Sequence, residues 1–385
     1  MKKVCIVIGS RANYSSIKSV MGAIKNHSLL KLQVVAFASA LLDRYGSVVN
    51  LIEADGFQID SKIYNILEGE NLLTMAKSTG LGLIELPTVF EQLKPDVVLT
   101  VGDRFETMAT TLAAAYMNIP IAHTMGGEVT GTIDESIRHA VTKFSHIHFP
   151  ASEGARDRII RLGEKEEDVH LVGCPRIDLV KEIIGKGIDS DYLNDKLNLI
   201  GVGIKVDVNF PFLLVSQHPV TTEYGDGEKQ ILNTLEAAYK ISLPTIVLWP
   251  NSDAGSEDIS RGIRKWREKG LDKKMHFFKN LPIDVYIGLM KKTVCLVGNS
   301  SSGIREGAFI GTPCVNIGSR QTMRERGANV IEVPSNIKAI TEAIEHQINH
   351  GPYAMNPLYG DGNAGLKIAE ILSKKEVILQ KQITY

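Results

Sequence analysis

Short apolar, β-branched runs alternate with amphipathic helical stretches from one end of this chain to the other. The runs that read as strands are Val4–Ile8, Leu32–Phe37, Asp96–Val101, Ile119–His123, Phe212–Ser216, Pro244–Leu248, Lys274–Phe278, Thr293–Val297 and Cys314–Ile317. Helical periodicity is marked over Ser15–Lys25, Phe105–Met117, Asp134–Phe144, Ser152–Leu162, Glu228–Ile241, Glu257–Glu268 and Ile337–Asn349. Fully apolar strands separated by helices belong to parallel sheets covered on both faces. The pattern runs twice, with polar, Lys/Asp-rich sequence between about Gly173 and Val208. The expected fold class is therefore α/β: two Rossmann-like, doubly wound parallel-sheet domains with a cleft between them. We expect the domains at residues 1–172 and 173–363, with a last helix in 364–385 packing back on the first after a Gly/Pro-rich loop. In such sheets ligands bind beyond the carboxyl ends of the strands. Every polar cluster described below lies at such an end.

The length of 385 residues fits two domains of roughly 150–200 each. A formal net charge of −1, with basic residues scattered through the helices, gives no footprint for nucleic acid. The N-terminal apolar run after two lysines is too short for a signal peptide and lacks a small-residue cleavage pattern. No stretch offers the ~18 apolar residues that span a bilayer. Cys5, Cys174, Cys295 and Cys314 are far apart and mostly within strand-like runs, as buried small hydrophobes in a reducing cytoplasm would be. The expected location is cytoplasmic, with no membrane and no nucleic-acid partner.

The most informative segment is GNSSSGIREGAFIGTPCVNIGSRQ, 298–321. It follows an apolar strand, and its serines open a helix, so hydroxyls and free backbone N–H groups meet the positive end of a helix dipole. Glu306 lies one turn inside, and Arg320 sits on the exit of the next strand. A phosphate-sized pocket is one reading; a well-capped helix with Ser300 as N-cap is the other. After the first strand the turn is Gly9-Ser10-Arg11-Ala12-Asn13-Tyr14-Ser15, without the glycine spacing of dinucleotide binders. Arg11 there suits a charge-assisted phosphate contact or a solvated surface position.

Acidic groups cluster within some thirty residues. Asp103 ends a strand in VGDRFET beside Arg104, Glu128 follows Gly126-Gly127, and Asp134 and Glu135 open a helix carrying Arg138 and His139. Asp134 and Asp103 could serve as ordinary helix caps. Two adjacent strand ends delivering carboxylates to one crevice also fit acid/base work. In VSQHPVTTE, His218 follows a strand, with Pro219 holding the chain extended; it suits proton transfer, a phosphate hydrogen bond or a structural role. His123, His139, His146 and His148 show no zinc-ligand pattern, so no metal is expected.

On SRANYSS (10–16), GDRFET (102–107), GGEVTGTIDESIRHAVTK (126–143), QHPVTTE (217–223), DAGSEDISR (253–261) and GNSSSGIRE (298–306), the chain resembles the hydrolysing UDP-N-acetylglucosamine 2-epimerases of sialic-acid synthesis, over essentially its full length. The resemblance implies the two-domain GT-B arrangement and conversion of UDP-GlcNAc and water to ManNAc and UDP through 2-acetamidoglucal. It implies no cofactor, because the reaction has no net redox, and a homodimer or homotetramer. Ser300 and Ser301 would hold the diphosphate, supported by Ser302, Glu306 the ribose, and Arg11 and Arg320 the phosphates. His218 would lie near the diphosphate and sugar. Arg261 would belong near the nucleotide, and His276, taken as just after a strand, beside the uracil. Asp103, Glu128 and Asp134 would carry catalysis, with Ser15, Arg104 and Arg138 in support.

Where many relatives carry a glutamate, three residues before Glu128, this chain has Met125, which cannot exchange a proton. The resemblance also admits the same reaction on a UDP- or GDP-linked 2,4-diacetamido-trideoxy sugar of the legionaminic-acid type. A GT-B glycosyltransferase and a non-catalytic UDP-sugar-binding protein are readings of a different class.

Overall fold

Val4 to Ile8 are buried on both faces, which makes the first strand the centre of a sheet. In the computed structural model, which describes residues 1–69, 71–131, 133–250 and 255–384, that strand is β1 (Lys2–Ile8). It joins β2 (Leu30–Phe37), β3 (Ser61–Ile63), β4 (Val97–Val101), β5 (Ile121–Thr124) and β6 (Ile147–Phe149). Their order is β3-β2-β1-β4-β5-β6, and every pairing is parallel. A second sheet holds β7 (Val202–Gly203), β8 (Leu213–Ser216), β9 (Thr245–Leu248), β10 (Met275–Phe278), β11 (Cys295–Gly298), β12 (Cys314–Ile317) and β13 (Val330–Val333). Its order is β13-β12-β11-β8-β9-β10-β7, parallel except for β7, which runs antiparallel on the edge of β10.

Both sheets are doubly wound. Strand order reverses between β1 and β4 in the first and between β8 and β11 in the second. At such a switch point the following loops splay to opposite faces and leave a crevice. Gly9 to Asn13 and Asp103 to Glu106 leave the first; Gln217-His218 and Asn299 to Ser302 leave the second.

Contacts divide the chain into two units. The first comprises Met1–Val129, Ile133–Leu179 and Tyr359–Tyr385; the second comprises Thr130–Thr132 and Val180–Leu358. The first core packs Cys5, Val7, Val35, Phe37, Phe90, Val98 and Ile121. The second sheet is covered on both faces, by clusters around Leu213, Val247 and Trp266 and around Leu214, Phe278 and Met290. The C-terminal helix Ala364–Lys374 packs in the first unit against Lys18–Lys25. Both Asp178 carboxylate oxygens accept from its first turn, Ala364 N at 3.0 Å and Gly365 N at 2.7 Å.

Several local expectations change. The polar stretch after Gly173 contains two helices, Pro175–Gly185 and Ser190–Leu199, and Val180, Leu193 and Leu197 enter the second core. The first helix is broken: Arg11–Ser15 is capped by Ser10, and Lys18–Lys25 follows after a turn. The serines of GNSSS form a 3₁₀ turn, Ser301–Gly303, and the α-helix begins only at Arg305. Asp253 and Ala254, which open the motif DAGSEDISR, and Thr132 of GGEVTGTIDESIRHAVTK lie outside the described residues.

Candidate active site

In the first unit one guanidinium gathers the Asp103 carboxylate, the Glu128 backbone and the Glu135 carboxylate. Arg138, on the helix Asp134–Phe144, is fully buried. Its Nη2 donates to Asp103, and its Nη1 donates to the Glu128 carbonyl at 2.8 Å and to Glu135 Oε2 at 3.0 Å. Burial alone would lower the guanidinium pKa; the charges of Asp103 and Glu128 outweigh it and hold Arg138 firmly protonated. The fork of an arginine suits this task, since a lysine could not span three partners in one plane. Asp103 keeps 21% of its side chain exposed, and Asp134 begins the helix itself, with Glu135 beside it. Glu128 is buried and follows Gly127, whose φ of +73° only glycine adopts without strain. A Cβ at Gly127 would lie 2.2 Å from the Ala155 carbonyl oxygen.

His123, on β5, touches the Asp103 loop and the helix that carries Arg138. Its Nε2 donates to the Gly102 carbonyl at 2.8 Å, one residue before Asp103, and Nδ1 lies 3.4 Å from the Thr142 hydroxyl. Full burial, only partly offset by that carbonyl, drops its pKa to about 4, so the ring is neutral and structural. Met125 follows with φ at +59°, its N–H donating to Phe149 O at 3.0 Å and its Sδ 3.4 Å from Cys174 Sγ.

Around the β1–β4 switch point, Asn13 ties the two loops together. Its Oδ1 accepts from Gly9 N at 3.0 Å and its Nδ2 donates to Val101 O at 3.1 Å. Arg104 Nε donates to the buried Glu106 at 3.2 Å. Burial and the nearby charge of Arg176 lower the Arg11 pKa, which places two cations at this end of the unit. Ser15 turns its hydroxyl onto its own helix, donating to Arg11 O at 2.9 Å.

In the second unit the β8 and β11 exits are joined by Asn299. Its side-chain amide accepts from His218 N at 2.7 Å and donates to His218 O at 2.8 Å. Ser300 caps the 3₁₀ turn, its Oγ 2.8 Å from that of Ser302, which in turn lies 2.5 Å from the Tyr286 hydroxyl. Glu306 is buried in the first turn of Arg305–Ile310. Arg320 Nη1 and Gln321 Nε2 both donate to the Asn299 carbonyl, at 3.2 and 2.9 Å.

The sequence model of the UDP-N-acetylglucosamine 2-epimerase family matches residues 22–373. The chain belongs to that family. It is 34% identical over 383 residues to the UDP-N,N'-diacetylbacillosamine 2-epimerase (hydrolyzing) of Legionella pneumophila, covering 100% of this chain and 98% of the relative. It is 33% identical over 346 residues to the GDP/UDP-N,N'-diacetylbacillosamine 2-epimerase (hydrolyzing) of Campylobacter jejuni, covering 89% and 87%. Identity to the UDP-N-acetylglucosamine 2-epimerase of Neisseria meningitidis is 27% over 379 residues, covering 98% and 96%. The crystal structure of that species' UDP-GlcNAc 2-epimerase bound to UDP-GlcNAc superposes with a TM-score of 0.80 at 21% identity, covering 97% and 100%. The two parallel-sheet units thus have the GT-B class of fold expected of a UDP-GlcNAc 2-epimerase family member.

Two further sequence candidates in this epimerase-family chain lie within regular elements. His276 is inside β10, not after it: its ring is buried, 4.2 Å from that of Phe278, against Gly201. Residues 276 and 278 share a strand face, which explains the placement. Arg261 lies mid-helix in Ser256–Glu268, its side chain 49% exposed and paired with Asp258 at 3.1 Å. The reading from sequence passes over Glu106, Asn13, His123, Asn299 and Gln321. Of these, Asn13, Glu106 and Asn299 stand inside the very motifs that carry the resemblance, which is the signal that could have found them.

Proposed function

We propose that this family member is a hydrolysing 2-epimerase acting on a UDP-linked 2,4-diacetamido-2,4,6-trideoxyhexose, releasing UDP and the free 2-epimer. The observation that carries this reading is the 34% identity, over the whole chain, to a relative named for that substrate. It displaces UDP-GlcNAc as first choice, since the relative from Neisseria meningitidis named for UDP-N-acetylglucosamine stands at 27%. The reaction remains the one expected from sequence; the sugar changes.

The chemistry assigns distinct work to the two clusters. The C2 proton of the sugar is not acidic until the anomeric C–O bond weakens. Departure of UDP with the bonding electrons leaves an oxocarbenium-like ring, and a carboxylate then takes the C2 proton, giving a glycal. Water next adds across the double bond: hydroxyl to C1, and a proton to C2 from the opposite face. Substrate and water thus balance against epimer and UDP. Asp103, Glu128 and Asp134 are assigned the proton transfers, because two faces of the ring require two groups. Met125 takes no part. Arg138 keeps Asp103 ionised and fixed. Ser300, Ser301 and Glu306 are assigned to the nucleotide, Arg11 and Arg320 to the growing diphosphate charge, and His218 to the region of the leaving oxygen. We also propose that the chain acts as a homo-oligomer in the cytoplasm. Among the described residues no helix is long and apolar enough to cross a membrane, while the helix Leu72–Leu93 exposes Leu72, Leu73 and Ile84 for a second copy to cover.

The test is a side-by-side measurement of kcat/KM on UDP-N,N'-diacetylbacillosamine, its GDP-linked counterpart and UDP-GlcNAc. The expected order puts the UDP-diacetamido sugar first by at least about tenfold, the order of discrimination that one or two substituents on a sugar support. Preference for UDP-GlcNAc would restore the sialic-acid reading.

A further inference from the structure

Among the described residues at this end of the second sheet, Asn299 joins three strand exits. It is 1% exposed and sits directly after β11. The residue before it, Gly298, has φ at +142°, and a Cβ there would stand 2.1 Å from the Ser216 carbonyl oxygen. Only glycine lets the β11 exit come this close to the β8 exit. Asn299 N then donates to Ser216 O at 3.2 Å, extending the β8–β11 ladder by one bond. Beyond that point the ladder stops: the next donor, His218 N, bonds the Asn299 side chain, and the Asn299 carbonyl turns to the β12 loop. The Asn299 amide takes over. Accepting from His218 N at 2.7 Å and donating to His218 O at 2.8 Å, it clips both backbone groups of a single residue as a neighbouring strand would.

Its own carbonyl is the second half of the device. Arg320 Nη1 reaches it at 3.2 Å and Gln321 Nε2 at 2.9 Å, both from the loop after β12. One buried residue thereby fixes the exits of three adjacent strands. Asn is suited to this as Asp is not, since a carboxylate has no donor for the His218 carbonyl.

We infer that Asn299 is the positioning residue of this site: it sets the aim of the His218 imidazole and, through its carbonyl, the reach of Arg320, without itself touching substrate. The inference rests on the reading above that His218 acts on the nucleotide sugar. Four variants test it: Asn299→Ala, Asn299→Asp, His218→Ala and the His218→Ala/Asn299→Ala double. Each is compared with the parent for turnover, KM, UDP affinity and the ring resonances of His218. In the parent background both Asn299 substitutions should cut kcat by about tenfold or more, with KM moving much less. On top of His218→Ala, Asn299→Ala should cost almost nothing further, because its target is gone. Asn299→Asp keeps the fold's shape and should shift the His218 ring resonances and raise the ring's pKa through the added charge.

Equal, additive losses in both backgrounds, with His218 resonances unmoved, would overturn the inference and leave Asn299 a purely structural residue. Unaltered turnover in His218→Ala would overturn it too. Inactivity of the parent chain on every sugar nucleotide offered would sink the functional reading instead, and the resonance arm would still decide for or against Asn299.

Discussion

Arg138 and Asp103 are brought together from thirty-five residues apart, the guanidinium with none of its side chain exposed and the carboxylate with 21% exposed. That relationship makes the acidic cluster one electrostatic unit. The buried Arg138 charge is felt by Asp103, Glu128 and Glu135 together, so removing it takes a favourable partner from all three at once.

We therefore expect Arg138→Leu to destabilise the chain by about 3–5 kcal/mol, as breaking a buried ion pair does. Arg138→Lys should recover only part of this, since an ammonium cannot fork across the partners. Urea unfolding of the three proteins measures the loss. Whatever activity survives should show its acidic limb at higher pH, because a carboxylate that loses its cation ionises later. An acidic limb at lower pH would contradict the arrangement.

The acid groups themselves divide from the nucleotide site. Asp103→Asn, Glu128→Gln and Asp134→Asn are each expected to lower turnover by about two orders of magnitude while leaving UDP affinity near that of the parent. Calorimetric titration with UDP, beside single-turnover assays, separates the two quantities. A residue whose neutral variant keeps full turnover takes no part in proton transfer.

His123 makes stability depend on pH in a stated window. Its folded pKa of about 4 lies below the ordinary 6.5, so between those values the unfolded chain binds a proton that the folded chain refuses. Stability is complete above pH 6.5 and falls as pH drops, by roughly 3 kcal/mol from this residue at pH 4. In His123→Gln, whose amide can still donate to Gly102 O, thermal midpoints between pH 4 and 7 should follow a shallower slope than in the parent.

Glu164 acts at lower pH. Burial pushes its carboxyl up, but His148 at 3.1 Å, Lys143 at 2.6 Å and Lys381 at 2.7 Å outweigh that and bring it to about 2. A depressed carboxylate contributes stability above its unfolded pKa, and that contribution is lost as pH falls from about 4.5 towards 2. Lys381 also donates to the carbonyls of Lys143, at 2.8 Å, and Ser145, at the end of the helix that carries Arg138. Glu164→Gln should lower the thermal midpoint at neutral pH and free the C-terminal segment, seen as faster amide exchange around residues 378–384.

The doubly wound architecture was legible because its strands are short, apolar and separated by helices of the right period. What escaped did so for identifiable reasons. The helix Leu72–Leu93 exposes apolar Leu72, Leu73 and Ile84, buries Ser78 and holds Pro87, so its amphipathic stripe is blurred and it carries an apparent break. β7 has two residues and β13 is only half-buried, which leaves little pattern to read. At the site, the acidic residues stood out through their strand-end positions. The residues that hold them did not: Arg138 reads as one more charge on a helix face, and His123 as one histidine among several. Asn299 and His218 are eighty-one positions apart, as Glu164 and Lys381 are far apart, and only the fold pairs them.

The most direct measurement incubates the purified chain with UDP-N,N'-diacetylbacillosamine in D₂O and follows the proton spectrum. Free UDP appearing with a 2-epimer that carries deuterium at C2 is the expected result, since elimination and rehydration must take that proton from solvent. Release of UDP with the C2 proton retained, or a UDP-linked epimer as product, would contradict the mechanism.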